Sequence, residues 1–128
     1  MKLKTLAVLA SLVLALPAAS YAQHKHGHGH AETGKHGGKM SEAGDYHVEL
    51  VAKGDAIEVY VSDHDDKPVA MAGFKGIAIL SAGGKSQRIV LAVESTKLAG
   101  KATGTLPAQP KGVVQITPPN GKTVSAKF

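Results

Sequence analysis

The chain has 128 residues, no cysteine, and fifteen basic against ten acidic residues. The lack of cysteine excludes disulfides and thiolate metal sites, which leaves imidazole, carboxylate and thioether groups as the side-chain metal ligands. The basic residues are scattered singly and only 4% of residues are aromatic, so we expect no nucleic-acid partner, which would need a basic stripe or a stacking platform.

The N-terminus has the pattern of a secretory signal peptide over residues 1–22. Lys2 and Lys4 precede an apolar run from Leu6 to Leu16, and cleavage is expected after Ala22. The run is too short to form a permanent membrane-spanning helix, and no later stretch is apolar enough to do so. We therefore expect an exported protein with no membrane span after the leader is cleaved.

Residues 23–44 are rich in His, Gly and Lys and predict a flexible tail. Histidines occupy every second position in its first part, and one more follows within the segment: His24, His26, His28, His30 and His36. Alternate imidazoles in an extended chain project from one side, and nearby glycines let several reach one ion. Neutral imidazole suits divalent transition metals, with copper(II) favoured over zinc(II) or nickel(II). The alternative is a solubilising or pH-responsive linker.

After Gly44 the sequence changes to short β-branched runs separated by Gly, Pro and Asn, which is typical of antiparallel sheets. A first hairpin is predicted from Asp45–Val51 and Asp55–Asp63, and the last one turns at Asn120-Gly121. The remaining predicted strands are Gly76–Ser81, Gln87–Val93, a weaker one near Leu98–Thr103, and the pair Val113–Thr117 and Thr123–Phe128. About seven strands at this spacing predict an all-β fold, a small immunoglobulin-like antiparallel β-sandwich over residues 45–128.

The first hairpin carries a polar outer face. With Lys53-Gly54 as its turn, Leu50 pairs with Ile57 and both point into the core. On the other face His47 would then lie opposite Tyr60, and Glu49 would lie opposite Glu58. Two facing carboxylates repel unless a cation lies between them, which leaves a surface metal site open, although an ordinary solvated strand face is the favoured interpretation.

His64 lies in an acidic loop, residues 63–68, that fails the calcium-loop template because Lys67 and Pro68 stand where an acceptor and a glycine are needed. An acidic turn closed by Pro68 explains it better, although His64 could still be an exposed ligand. No phosphate-binding loop, nucleophile elbow or zinc-protease motif occurs in the sequence. We therefore predict no enzyme activity.

Three stretches, residues 36–38, 44–51 and 59–69, resemble small periplasmic β-sandwich modules of bacterial heavy-metal efflux and copper tolerance, including the N-terminal module of some efflux adaptor subunits. The resemblance covers residues 36–70. It implies a periplasmic domain that binds or hands over copper, zinc, nickel or cobalt, with an envelope efflux component as partner. The chain is far too short for the coiled-coil and barrel regions of an adaptor subunit, so it could be only a free-standing relative of one module.

Two hypotheses follow. The first is a periplasmic transition-metal-binding protein, whose candidate ligands are His24, His26, His28, His30, His36, His47 and His64. The second is a protein-interaction β-sandwich module of the cell envelope whose His-rich tail is incidental. The two differ in whether removing the tail abolishes metal binding.

Overall fold

Eight antiparallel strands make up the part of the chain that the structure, a computed structural model, describes, which is residues 32–128. No helix occurs in that range. The strands are β1 Lys39–Ala43, β2 Tyr46–Lys53, β3 Ala56–Ser62, β4 Lys75–Ala82, β5 Lys85–Glu94, β6 Lys97–Lys101, β7 Lys111–Thr117 and β8 Val124–Lys127. The predicted all-β class is therefore confirmed.

The strands form one nearly closed sheet in the order β1-β2-β3-β6-β5-β4-β7-β8. The long strand β5 links its two halves, because residues 85–91 pair with β4 whereas residues 92–94 pair with β6. The two end strands, β1 and β8, lie near each other. This arrangement places β1, β2 and β3 side by side, and their outer faces carry most of the polar residues discussed below.

The core is aliphatic and comes from the alternating inward positions of the strands, as the period of two requires. The fully enclosed side chains include Val48 and Leu50 on β2, Ile57 and Val59 on β3, Leu80 on β4, Leu98 on β6 and Ile116 on β7. Met71, Phe74 and Leu106, from the two long connections, pack against the same core. Met71 is thus a packing residue rather than an accessible thioether.

The first hairpin keeps the predicted faces but not the predicted register. Its turn is Gly54-Asp55, so Lys53 pairs with Ala56 and Leu50 pairs with Val59. The shift is by two residues, which preserves the faces because side chains alternate with a period of two. It changes the outer neighbours, however: the predicted oppositions of His47 with Tyr60 and of Glu49 with Glu58 are wrong, since Glu49 lies opposite Tyr60.

Two further predictions differ from the structure. An immunoglobulin-like sandwich of about seven strands is not confirmed, because residues 32–128 contain eight strands in one nearly closed sheet. Residues 39–43, assigned above to the flexible tail, form β1 and pair with β2.

The predicted signal peptide and the ligands His24, His26, His28 and His30 lie outside the described residues. Within residues 32–128 there is no helix long and apolar enough to cross a membrane.

Candidate functional site

A tight loop, residues 32–38, precedes β1 and folds back along it. Thr33 forms a β-bridge with Lys39, and the Gly34 amide donates to the Gly38 carbonyl at 2.8 Å. The Met40 amide donates to the Glu32 carbonyl at 2.9 Å. These main-chain bonds close the loop, which we call the N-terminal loop, on itself and onto the start of β1.

Glu49 of β2 fastens this loop. Its side chain is only 4% exposed, although its strand position is on the outer face. Oε1 accepts hydrogen bonds from the backbone amides of His36 at 2.8 Å and Gly38 at 2.9 Å. Oε2 is 2.8 Å from Nδ1 of the His36 ring. The expected solvated position of Glu49 is therefore wrong, because the N-terminal loop covers the carboxylate and supplies the partners that a buried charge requires.

The ring of His36 lies flat on Tyr60, with centroids 3.5 Å apart and an interplanar angle of 5°. Tyr60 in turn donates its hydroxyl proton to Oε2 of Glu58 at 2.7 Å, and Lys97 donates to Oε1 of the same carboxylate at 2.8 Å. Burial, followed by the hydrogen bond to Glu58, raises the pKa of Tyr60. Glu58 is therefore held by its own partners and is not paired with Glu49 across the hairpin.

The charges around Glu58 are mutually stabilising. The hydrogen bond from Lys97, followed by that from Tyr60, lowers the pKa of Glu58. The same hydrogen bond, donated by Lys97 to Glu58, raises the pKa of Lys97. Both shifts favour the ionised forms, so the ion pair of Glu58 and Lys97 supports the hydroxyl end of Tyr60.

His47 and His64 form a second, more open cluster. Nδ1 of His47 lies 2.9 Å from Oδ1 of Asp66, and the two imidazole rings meet edge to face with centroids 5.9 Å apart. Nε2 of His64 is 3.7 Å from a carboxylate oxygen of Asp45. Nε2 of His47 is 4.0 Å from Glu42. The sequence did not predict this pairing, because it depends on how the loop after β3 folds back over β2.

The loop after β3 is a turn closed by its own hydrogen bonds. Oδ1 of Asp63 accepts from the amides of Asp65 at 2.9 Å and Lys67 at 3.0 Å, and the bond from Lys67 lowers the pKa of Asp63. Asp66 takes a left-handed backbone conformation with φ 58°. Lys35 of the N-terminal loop donates to the Asp66 carbonyl at 3.0 Å, which links the two histidine regions.

A cavity of about 380 Å³ lies between the N-terminal loop and the loop after β3. Its lining includes Glu32, His36, Met40, Tyr60, Asp66 and Thr96. Met40 reaches this surface, whereas Met71 is buried in the core. His36 therefore borders the same cavity as Glu32, the first described residue.

The candidate ligands among the described residues do not form a complete metal site. Within residues 32–128 no group of three or more His, Asp or Glu side chains is arranged to hold a metal ion. His47 and His64 are adjacent, whereas His36 stands by itself in the N-terminal loop. An ion bound here would therefore need further donors from elsewhere in the chain or from another molecule.

The sequence matches no protein-family model, and comparison with curated proteins and with solved structures finds no significant similarity. The resemblance to metal-efflux modules stays a prediction. The functional argument consequently rests on the residues and their geometry.

Proposed function

We propose that this chain is a periplasmic transition-metal-binding protein that captures, buffers or hands over copper, zinc, nickel or cobalt, with copper(II) favoured. The observation that carries the proposal is a convergence on one surface. The chain that bears His24 to His30 enters the described domain at Glu32, which lines the same cavity as His36 and Asp66. Asp66 in turn bonds to His47, which contacts His64.

The chemistry of this surface supports the proposal. Two of its histidines have Nδ1 within hydrogen-bond distance of a carboxylate, at 2.8 Å in His36 and 2.9 Å in His47. Histidine ligands commonly have this arrangement, because the carboxylate orients the ring and makes the other nitrogen a better donor. A segment with several imidazoles of its own fits capture and hand-over, because it offers more than one donor from which an ion can pass to a second protein. An envelope efflux component is the partner that we propose.

The finer fold assignment belongs to the same proposal. An immunoglobulin-like sandwich is supported by the consecutive antiparallel hairpins and by the way β5 joins two halves of the sheet around one aliphatic core. Such a scaffold would hold the N-terminal loop and the loop after β3 in fixed relative positions.

A second candidate function is a protein-interaction module, and the outer face of β4 and β5 favours it. Val90 is 65% exposed and Ile79 is 37% exposed, and Ile77 pairs directly with Val90 across the two strands. Exposed apolar side chains that lie together on a sheet face are a common feature of contact surfaces. This face is separate from the histidine surface, so the two functions are independent.

The decisive experiment is calorimetric titration of the chain beginning at Gln23 with copper(II), nickel(II) and zinc(II) near pH 7.5. A variant with serine at positions 24, 26, 28 and 30 tests the tail, and a matched variant with serine at 47 and 64 tests the described cluster. Binding lost in the first variant alone makes the tail the main ligand set. Absence of binding in the unsubstituted chain would reject the metal proposal and leave the interaction module.

A further inference from the structure

His36 is held on three sides in a way that fixes its ring. Its backbone amide and its Nδ1 both contact the carboxylate of Glu49, each at 2.8 Å, and its face rests on Tyr60 at a centroid distance of 3.5 Å. The side chain nevertheless remains 44% exposed. A residue in a glycine-rich loop would ordinarily lose much conformational freedom on binding a ligand, whereas here the ring is already ordered.

The contact with Glu49 also selects the tautomer. An ionised carboxylate only accepts hydrogen bonds, so Nδ1 of His36 must donate its proton to Oε2 of Glu49. The neutral imidazole then keeps its lone pair on Nε2, which makes no hydrogen bond within residues 32–128. This is the arrangement of a metal-binding histidine, in which one nitrogen donates to a carboxylate and the other coordinates the ion.

Comparison among the three described histidines favours His36. The partner of His47 is Asp66, a side chain that is 64% exposed on a turn, and the side chain of His64 is itself 66% exposed and lies 3.7 Å from its nearest carboxylate. Glu49 is instead enclosed and held by two backbone amides. Its carboxylate cannot rotate away from His36 without leaving those amides unpaired, which is costly for buried groups.

We propose that Nε2 of His36 is the fixed ligand on which a transition-metal ion docks, and that Glu49 is the positioning residue for it. This inference rests on the proposed function, that the chain binds transition metals. The neighbouring cavity of about 380 Å³ gives room for an ion and its further donors beside this ring.

The test uses copper(II) as the probe and the chain beginning at Gln23. Before metal is added, nitrogen NMR of the imidazoles is expected to show His36 with its proton on Nδ1. Copper(II) at substoichiometric amounts should broaden the ring signals of His36 and Tyr60 first, because they lie closest to the docked ion. Signals that broaden only among His24 to His30 would overturn the inference.

Two variants separate the ligand from its positioning residue. His36→Phe preserves an aromatic face on Tyr60 but removes both nitrogens, and Glu49→Gln places an amide that donates to Nδ1 and so moves the imidazole proton to Nε2. Each is expected to weaken copper(II) binding about 10- to 100-fold, and Asp55→Asn, at an exposed carboxylate in the β2–β3 turn, serves as the control with unchanged affinity. Circular dichroism checks that each variant is folded.

The outcomes are distinguishable from failure of the proposed function. If copper(II) binds the unsubstituted chain and His36→Phe leaves the affinity unchanged, the docking role is overturned while the metal-binding function stands. If His36→Phe weakens binding but a folded Glu49→Gln does not, the positioning role of Glu49 is overturned. If no variant and no unsubstituted chain binds copper(II), both proposals fall.

Discussion

The imidazole of His36 lies parallel to the phenol ring of Tyr60, with the ring centroids 3.5 Å apart and the planes within 5° of each other. Tyr60 lies directly opposite Glu49 across the β2–β3 ladder. The same short stretch of sheet therefore provides both the carboxylate that orients the ring and the surface on which the ring rests. This pairing ties the N-terminal loop to the hairpin through side chains as well as through the backbone.

Two substitutions at Tyr60 should distinguish the contribution to stability of the stack with His36 from that of the hydroxyl hydrogen bond to Glu58. Tyr60→Leu removes the ring face and is expected to lower stability by about 1–2 kcal/mol, of which the aromatic contact supplies roughly 0.5–1.5. Tyr60→Phe keeps the face and loses only the bond to Glu58, about 1 kcal/mol. Native-state hydrogen exchange should show faster exchange of the His36 and Gly38 amides in Tyr60→Leu alone. Equal exchange in both variants would mean that the stack does not order the loop.

Gly34 should be needed for the close approach of the N-terminal loop to Glu49. A Cβ atom at this position would collide with the Glu49 carboxylate, so Gly34→Ala is expected to cost about 1–3 kcal/mol, as overpacking generally does. Denaturant unfolding measures the loss, and the exchange rate of the Gly38 amide reports whether the loop has detached.

Gly37 offers a matched control in the same loop. Its φ is +81° and an added Cβ would meet nothing within 4 Å, and asparagine tolerates such a conformation better than most residues. Gly37→Asn should therefore cost less than about 1 kcal/mol. A larger loss for Gly37→Asn than for Gly34→Ala would contradict the collision that we describe.

The strand faces of the first hairpin were predictable because alternation alone assigns them. Val48, Leu50, Val59 and Val61 point inward as expected, and a register shift by an even number cannot change that. The register itself was not predictable, because Lys53-Gly54 and Gly54-Asp55 are both acceptable turns and differ by one position. The neighbours of His47 and Glu49 depended on that choice.

The burial of Glu49 could not be read from the sequence. The N-terminal loop that covers Glu49 has no apolar pattern. The loop is attached mostly through backbone amides, which nearly every residue carries. The one available signal was Gly37-Gly38 immediately before Lys39, since paired glycines permit the backbone ahead of a strand to lie close against a neighbouring strand. Likewise, β1 contains only Met40 and Ala43 as apolar residues, too few to distinguish an edge strand from a tail.

The ion pair between Glu58 and Lys97 should make part of the stability dependent on pH. The folded state lowers the pKa of Glu58 below its ordinary value of 4.5, so the stabilisation is complete above that value and is lost as the pH falls through the lowered folded-state pKa. Glu58→Gln should be less stable than the unsubstituted chain by about 1 kcal/mol at neutral pH.

Chemical denaturation between pH 7 and pH 3 measures this difference, which should shrink on the acid side. Glu94→Gln is the control, because Glu94 is 68% exposed and its carboxylate is 3.9 Å from the Lys97 nitrogen. That variant should follow the unsubstituted chain at every pH. A gap between Glu58→Gln and the unsubstituted chain that widened in acid would have the wrong sign for a carboxylate with a lowered pKa.

A substitution at Asp66 tests whether an ion binds instead at the pair of His47 and His64. Asp66→Asn keeps a residue that accepts the φ of 58° and removes only the charge beside His47, so stability should change by less than about 1 kcal/mol, as for other exposed pairs. Copper(II) affinity, measured by calorimetry, should also stay within about twofold if His36 is the docking ligand. Removing the carboxylate behind a coordinating histidine usually lowers metal affinity about tenfold. A loss of that size would instead place the ion at His47, because the affinity would then depend on the acidic partner of that ring.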